Sequence, residues 1–139
     1  MSENFSAARI NDIIDANRFI VTNRRESFGV NLEGLETVFN IVNTITENNI
    51  QDHKRRIIVK ASHLLGGITY QQPFNNGNKT TATTVTIDFL RRNGYDLPIV
   101  NENDEEEHIS LLERTLYKFE GDQTIISEVE EYLWRKVVP

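Results

Sequence analysis

Residues 71–82 read Gln71-Gln72-Pro73-Phe74-Asn75-Asn76-Gly77-Asn78-Lys79-Thr80-Thr81-Ala82. This polar stretch lies between two long apolar-periodic segments, so we expect a loop that joins two helices. Pro73 ends the preceding helix, because the residue before a proline is pushed away from helical geometry. Gly77 permits a positive φ, and asparagine is the commonest substitute at such positions.

A loop of this composition at the start of a helix can bind an anion. Its backbone N–H groups point into one concavity, and the helix N-terminus adds its dipole. Lys79 contributes a positive charge, while Thr80 and Thr81 either cap the next helix or contact the anion. An ordinary interhelical turn has the same composition, so the residues alone leave both interpretations open.

Most of the remaining chain has helical periodicity. Apolar residues three or four apart predict helices over about residues 10–20, 32–47 and 51–70. Gly66 and Gly67 fall inside the third of these. Each glycine costs about 1 kcal/mol in a helix interior, so we expect a close backbone packing contact there.

Two further helices are predicted near the end of the chain. The first is capped by Asn103 or Asp104 and ends near Gly121, and its apolar positions are Ile109, Leu112, Leu116 and Phe119. The second begins after a cap at residue 122 or 124 and turns its apolar residues inward: Ile125, Ile126, Val129 and Leu133.

The segment 80–93 is ambiguous by periodicity. Val85, Ile87 and Phe89 alternate with polar residues, as in a strand, and the β-branched content favours that interpretation. The same segment has apolar residues at helical spacing and ends at Asn93-Gly94, which is a typical helix stop.

The composition excludes several classes of protein. The chain has 139 residues, no cysteine and a formal net charge of −6. This length fits one domain over residues 1–139, and the lack of cysteine excludes a disulfide scaffold and a thiolate zinc site. The acidic balance argues against nucleic-acid binding, and no segment is long and apolar enough to span a membrane. Without a secretory signal, we expect a cytoplasmic protein.

The loop also resembles the active-site motif of the Fic/Doc (Fido) family, roughly His-x-Phe-x-(Asp/Glu)-Gly-Asn-(Gly/Lys)-Arg. The proline before Phe74 and the lysine after Gly77-Asn78 are similar to the Doc-like branch. Residues 32–39 and 90–95 resemble the helix start and the helix end found in Doc-like chains. The resemblance implies an all-α fold, a compact helical bundle with a short β-hairpin flap, and a helix over residues 80–93.

The resemblance also implies a function. Members of the family transfer AMP or phosphate from a nucleotide, ATP with Mg²⁺, to a protein hydroxyl, and several are toxins held in check by a partner. A protein target or an antitoxin-like partner is therefore expected. By position, Phe74 anchors the loop in the core, and the target-binding flap falls at Phe28, Gly29 and Val30. The nucleotide- and phosphate-binding residues are Asn75, Asn76, Gly77, Asn78, Lys79 and Thr80.

Three positions depart from the motif. Gln72 stands at the histidine position, and a glutamine amide cannot take a proton from the attacking hydroxyl near neutral pH. Asn76 stands at the acidic metal-binding position, where its neutral oxygen is a weak ligand for Mg²⁺. Thr80 stands at an arginine position, so the guanidinium that suits a phosphate is missing there.

These departures predict a Fic/Doc-fold protein that retains nucleotide or phosphate binding and has little or no transferase activity. An engineered inactivation would explain Gln72, but the coincident changes at positions 76 and 80 favour natural divergence. Two alternatives stay open. One is an active AMP- or phosphotransferase in which Gln72 only orients the target hydroxyl, and the other is a non-catalytic helical interaction domain.

Overall fold

The fold is all-α, as predicted. A computed structural model describes residues 7–139, with side chains from residue 9 onwards. Over that range the helices are α1 (Ala7–Asn23), α2 (Leu32–Thr44), α3 (His53–Gln71), α4 (Asn78–Arg92), α5 (Glu102–Thr115) and α6 (Gln123–Lys136). Across these residues, none of the helices combines the length and the apolar composition that a bilayer crossing requires.

Helix α3 is the centre of the bundle. It packs against α2, α4, α5 and α6, while α1 packs on α4. The predicted close contact at its glycines is confirmed. A Cβ built on Gly66 would lie 2.2 Å from Cε1 of Phe119, and one built on Gly67 would lie 3.2 Å from the Val38 methyl groups. The missing side chains therefore let neighbouring residues lie directly against the α3 backbone.

The ambiguous segment 80–93 is helical. Helix α4 buries Ala82, Val85, Phe89 and Leu90, which recur at helical spacing on the face towards α3. Thr81 and Thr86 are also buried. The helix expected from the family resemblance is confirmed, and the strand favoured by the β-branched content is wrong, because burial follows the 3.6-residue period rather than the alternation.

Helix α5 differs from its prediction in three respects. Its N-cap is Asn101, whose side chain accepts a hydrogen bond from the Asp104 N–H (2.9 Å), rather than Asn103 or Asp104. The predicted positions Leu112 and Phe119 are buried, but Ile109 is 52% exposed. The inward face of the helix runs through His108, Leu111, Leu112 and Thr115. The helix ends at Thr115 rather than near Gly121, and the following turns carry Phe119 to Gly66.

Helix α6 follows its prediction more closely. Asp122 caps it by accepting hydrogen bonds from the Thr124 and Ile125 N–H groups. All four of its predicted inward residues are buried. Helix α2 ends three residues before the expected position, where the Asn49 side chain accepts hydrogen bonds from the N–H (2.9 Å) and hydroxyl (3.0 Å) of Thr46.

The expected β-hairpin flap is not formed within residues 7–139. The segment 27–31 contains one isolated antiparallel bridge, from Val30 to Phe74. Its backbone is bonded to the 72–77 loop on each side of that bridge: Asn31 N–H donates to Pro73 O (2.6 Å), and Gly29 O accepts from Asn75 N–H (2.9 Å). The segment therefore pairs with the loop rather than with itself.

Candidate anion-binding site

The 72–77 loop begins with an abrupt change of backbone direction at Gln72. This residue is the C-cap of α3 and adopts the left-handed conformation, with φ 50° and ψ 56°. Its N–H donates to Ile68 O (3.1 Å), and its side chain is exposed. A non-glycine residue costs about 1–2 kcal/mol in this conformation. Pro73 follows and prevents the helix from continuing.

Phe74 and Asn78 hold the loop closed. Phe74 is 3% exposed and belongs to the hydrophobic core. Its N–H donates to Asn78 Oδ1 (2.9 Å), and its carbonyl accepts from Asn78 Nδ2 (2.8 Å). The Asn78 side chain therefore satisfies both backbone groups of Phe74, whose side chain lies in the core.

The N-terminus of α4 presents open hydrogen-bond donors. Its N-cap is Gly77, at φ 75° and ψ 20°, and no side chain caps the helix there. Side chains do cap α2, α3, α5 and α6. The first intrahelical bond runs from Thr81 N–H to Gly77 O (2.9 Å), so the amides of residues 77–80 have no acceptor in the part of the chain that is described. Together with the helix dipole, these amides favour an anion.

Two residues that the sequence analysis missed support the loop, Asn17 on helix α1 and Arg24 in the turn that follows it. Asn17, which is 0% exposed, donates from Nδ2 to Asn76 O (2.9 Å) and to Thr81 Oγ1 (3.0 Å). Arg24 Nη2 donates to Thr80 Oγ1 (2.8 Å). A polar residue inside the apolar stripe of α1 was the one available signal for Asn17, and Arg24 lies on the same helix face seven residues later.

The predicted flap residues lie beside this loop. A Cβ at Gly29 would lie 2.2 Å from Nδ2 of the exposed Asn75 side chain, which would have to move to make room for it. Phe28 is half-buried under the guanidinium of Arg18, which lies 4.4 Å from the ring centroid. Val30 is partly exposed next to its bridge with Phe74.

Asn76 is a hydrogen-bond donor in this structure. Its Nδ2 donates to Ser27 O (3.0 Å) and approaches Ser27 Oγ (3.3 Å), which ties the loop to the 27–31 segment. An aspartate could not make the bond to Ser27 O, because an ionised carboxylate only accepts. The side chain at the predicted metal position therefore holds the loop in place.

The residues of the site fit a phosphate better than a metal ion. No group of three or more His, Cys, Asp or Glu side chains within residues 9–139 could hold a metal. Residues 71–86 include no Asp or Glu, so a hard cation would find only the neutral Asn76 oxygen. Mg²⁺ bound with a nucleotide usually takes one or two protein carboxylates, which this loop does not offer. The side chains of this loop therefore do not fit a metal ion held by the protein.

None of the three histidines occupies the position of the missing base. His53 stacks on Tyr95, with ring centroids 5.9 Å apart. His63 packs edge-on against Phe119 at 5.6 Å, and burial lowers its pKa against the opposing effect of Glu120. His108 is buried in a separate network.

That network connects three helices. His108 Nδ1 lies 2.9 Å from the Tyr132 hydroxyl, and Nε2 lies 2.8 Å from Thr83 Oγ1. Because the Thr83 hydroxyl donates to Lys79 O (2.9 Å), it must accept from Nε2–H, so we assign the neutral Nε2–H tautomer. Burial lowers the pKa of His108 and raises that of Tyr132. The network fixes a carbonyl in the first turn of α4.

Comparison with known proteins gave one family. The family model described as Fic/DOC family matches residues 7–90, which is more than half of the chain. The matched range holds α1, α2, α3 and nearly all of α4, and therefore every contact of the loop described above. A search of curated proteins found no match.

Proposed function

Because the chain belongs to the Fic/DOC family, we propose that it binds the phosphates of a nucleotide at the N-terminus of α4 and transfers little or nothing to a protein hydroxyl. The observation that carries this proposal is the open turn at residues 77–80. Its four amides have no acceptor among the described residues, and the half-buried Lys79 lies beside them without an ion pair there. Phosphate is the ligand that such an arrangement favours.

The weak catalysis follows from the missing proton acceptor. A family member of this kind must remove a proton from the attacking hydroxyl, and loss of a general base typically lowers a rate by about 10²–10⁴. Gln72 is exposed at the start of the loop, where its amide can orient a hydroxyl by hydrogen bonding but cannot accept the proton. The three histidines are held in other contacts.

The remaining departures support natural divergence rather than a single inactivating change. Asn76 donates to Ser27, and Thr80 accepts from Arg24. Both side chains are used in bonds that the motif residues would not make. A binding role, directed at a protein target or an antitoxin-like partner, fits a loop that is maintained without its catalytic groups.

Calorimetric titration with ATP tests the binding proposal. We expect wild-type protein to bind, and Lys79→Met to bind about tenfold more weakly or worse, because a charged hydrogen-bond donor is lost. Lys118→Met is the matched control, since Lys118 is an exposed lysine outside the loop. EDTA should change the affinity little, because the loop offers no carboxylate for the metal. No heat from the wild type, or equal losses in both variants, would favour the plain interaction domain instead.

Label transfer tests the catalytic part. Wild-type protein and Gln72→His are incubated with lysate proteins and ATP labelled at the α- or the γ-phosphate. We expect no labelled protein with the wild type and weak labelling with Gln72→His, and the position of the label distinguishes AMP transfer from phosphate transfer. Labelling by the wild type would contradict the proposal and support an active transferase in which positioning matters more than base strength.

A further inference from the structure

A cleft between α3 and α6 shares no residue with the 72–77 loop. It has a volume of about 260 Å³. Pockets for drug-sized ligands run from about 300 to 1,000 Å³, so this cleft has room for one side chain rather than a whole segment. Its α6 wall lies beyond residue 90, where the family match ends. Both helices line it: Arg55, Ile58 and Val59 from α3, and Ser127, Glu130, Glu131 and Trp134 from α6.

Trp134 is the single tryptophan of the chain, and it is 49% exposed at this cleft. The ammonium of Lys54, in the first turn of α3, lies 4.4 Å from the centroid of the Trp134 ring. An indole ring attracts cations to its face, because the face carries the negative part of the ring quadrupole. The contact with Lys54 shows that this ring is placed to accept a cation, while about half of the residue stays open to solvent.

Glu130 is a half-buried carboxylate in the same cleft. No side chain in residues 9–139 donates a hydrogen bond to it or forms an ion pair with it. Burial raises the pKa of Glu130, and the opposing field of Arg55 does not cancel that effect. Arg55 is exposed, so water screens its charge. An ionised carboxylate in this position is unfavourable in the free protein and becomes favourable when a cation enters the cleft.

We propose that the cleft binds an arginine side chain of a partner protein, with the guanidinium held by the Trp134 ring and the Glu130 carboxylate. Arginine suits both groups, because its planar cation stacks on an aromatic ring and donates two parallel hydrogen bonds to a carboxylate. Ile58 and Val59 provide an apolar wall for the methylene stem. The exposed Glu131 adds a second negative charge, which favours a basic segment over an acidic one.

Nuclear magnetic resonance tests this assignment, because the single tryptophan gives one indole N–H signal. Wild-type protein is titrated with the capped peptide acetyl-Gly-Arg-Gly-amide and with the same peptide carrying citrulline, which has the shape of arginine without its charge. We expect the arginine peptide to shift the indole signal with a Kd on the order of 1 mM, because one side chain supplies few contacts. The citrulline peptide should bind about tenfold more weakly or worse, since the charge-assisted bonds are lost.

Two substitutions should change the affinity in opposite directions. Glu130→Gln keeps the size of the side chain and removes its charge, so it should weaken the arginine peptide by about three- to tenfold. Glu36→Gln is the matched control, since Glu36 is exposed on α2 and does not line the cleft. Lys54→Met removes the cation that competes for the ring and should tighten binding by about two- to fivefold. A loss of structure cannot explain such a gain.

Thermal unfolding separates binding from a structural role. Glu130→Gln should unfold at the wild-type temperature or above it, because an unpaired half-buried charge is removed. Equal affinities for the arginine and citrulline peptides, or an indole signal that neither peptide moves, would overturn the proposal. Equal binding of a lysine peptide would overturn the assignment to arginine, since an ammonium lacks the planar fork. Each of these results leaves the proposed function intact, because ATP binding at α4 is measured separately.

Discussion

Asn78→Ala removes the side chain that closes the loop, and the structure gives the size of the effect. Two bonds are lost, to the N–H and the carbonyl of Phe74 (2.9 and 2.8 Å). Phe74 is 3% exposed and Asn78 9%, so water cannot readily replace them. Each unpaired buried group lowers the free energy of unfolding by about 1–3 kcal/mol. The higher helix propensity of alanine offsets a few tenths of a kcal/mol of that loss. We expect the free energy of unfolding to fall by about 2–4 kcal/mol.

Urea unfolding followed by circular dichroism measures this change, and Asn93→Ala is the matched control at the other end of α4. Asn93 Nδ2 makes one bond, to Phe89 O (2.9 Å), and the residue is half-buried. Water can replace that bond, so the control should lose about 0.5–1 kcal/mol. Hydrogen exchange at the Phe74 amide should also become much faster in Asn78→Ala.

Equal losses for the two asparagine variants would refute the reasoning. That result would mean that the backbone groups of Phe74 find other partners once the side chain is removed. The loop would then be held by the Phe74 ring and by the contacts of the loop with α1, rather than by the two hydrogen bonds of the Asn78 side chain.

Four further substitutions test other parts of the structure. Gly66→Ala should lower the free energy of unfolding by about 1–3 kcal/mol, because its Cβ would lie 2.2 Å from the Phe119 ring. In Gly34→Ala the nearest atom to the new Cβ would be 3.6 Å away, so this variant should raise the free energy of unfolding by roughly 0.5–1 kcal/mol in the same urea titration. A lower free energy of unfolding in both variants would contradict the packing argument. Gln72→Gly should stabilise the fold by about 1 kcal/mol, measured by thermal unfolding, because glycine relieves the left-handed strain at φ 50°. Burial lowers the pKa of His108, so the folded protein binds fewer protons than the unfolded chain below about pH 6.5. Stability should therefore fall as the pH drops from about 7 to 5, and His108→Gln should remove part of that slope; an unchanged slope would mean that His108 is protonated without cost.

The sequence predicts those features that depend on local pattern. The glycine pair in α3 indicated a close contact, and the structure places Phe119 and Val38 there. Periodicity predicted the inward face of α6 and part of that of α5, where Leu112 is buried as expected. There Ile109 is exposed, and the polar His108 takes an inward position through its bonds to α4 and α6. A buried histidine cannot be recognised by hydropathy alone.

The support of the candidate site from α1 could not be predicted from the sequence. Asn17 is 59 residues from Asn76, and Arg24 is 56 residues from Thr80. Neither pair forms a motif, and each contact depends on how α1 packs on α4. Likewise, the 27–31 segment was expected to form a hairpin, but its backbone groups bond to the loop instead. The sequence of an extended segment does not show whether it pairs with itself or with a distant loop.

Two of the loop positions that are expected to depart from the family motif, 76 and 80, are bonded to residues elsewhere in the chain. An aspartate at position 76 would place a carboxylate against the carbonyl oxygen of Ser27, where Asn76 now donates. An arginine at position 80 would bring a second guanidinium next to that of Arg24, which now bonds to Thr80. Like charges and unpaired acceptors at such distances are unfavourable. On the proposed function, Gln72 replaces the base, while the 27–31 segment and Arg24 accommodate the residues at positions 76 and 80. A guanidinium returned to position 80 therefore requires that Arg24 be removed first.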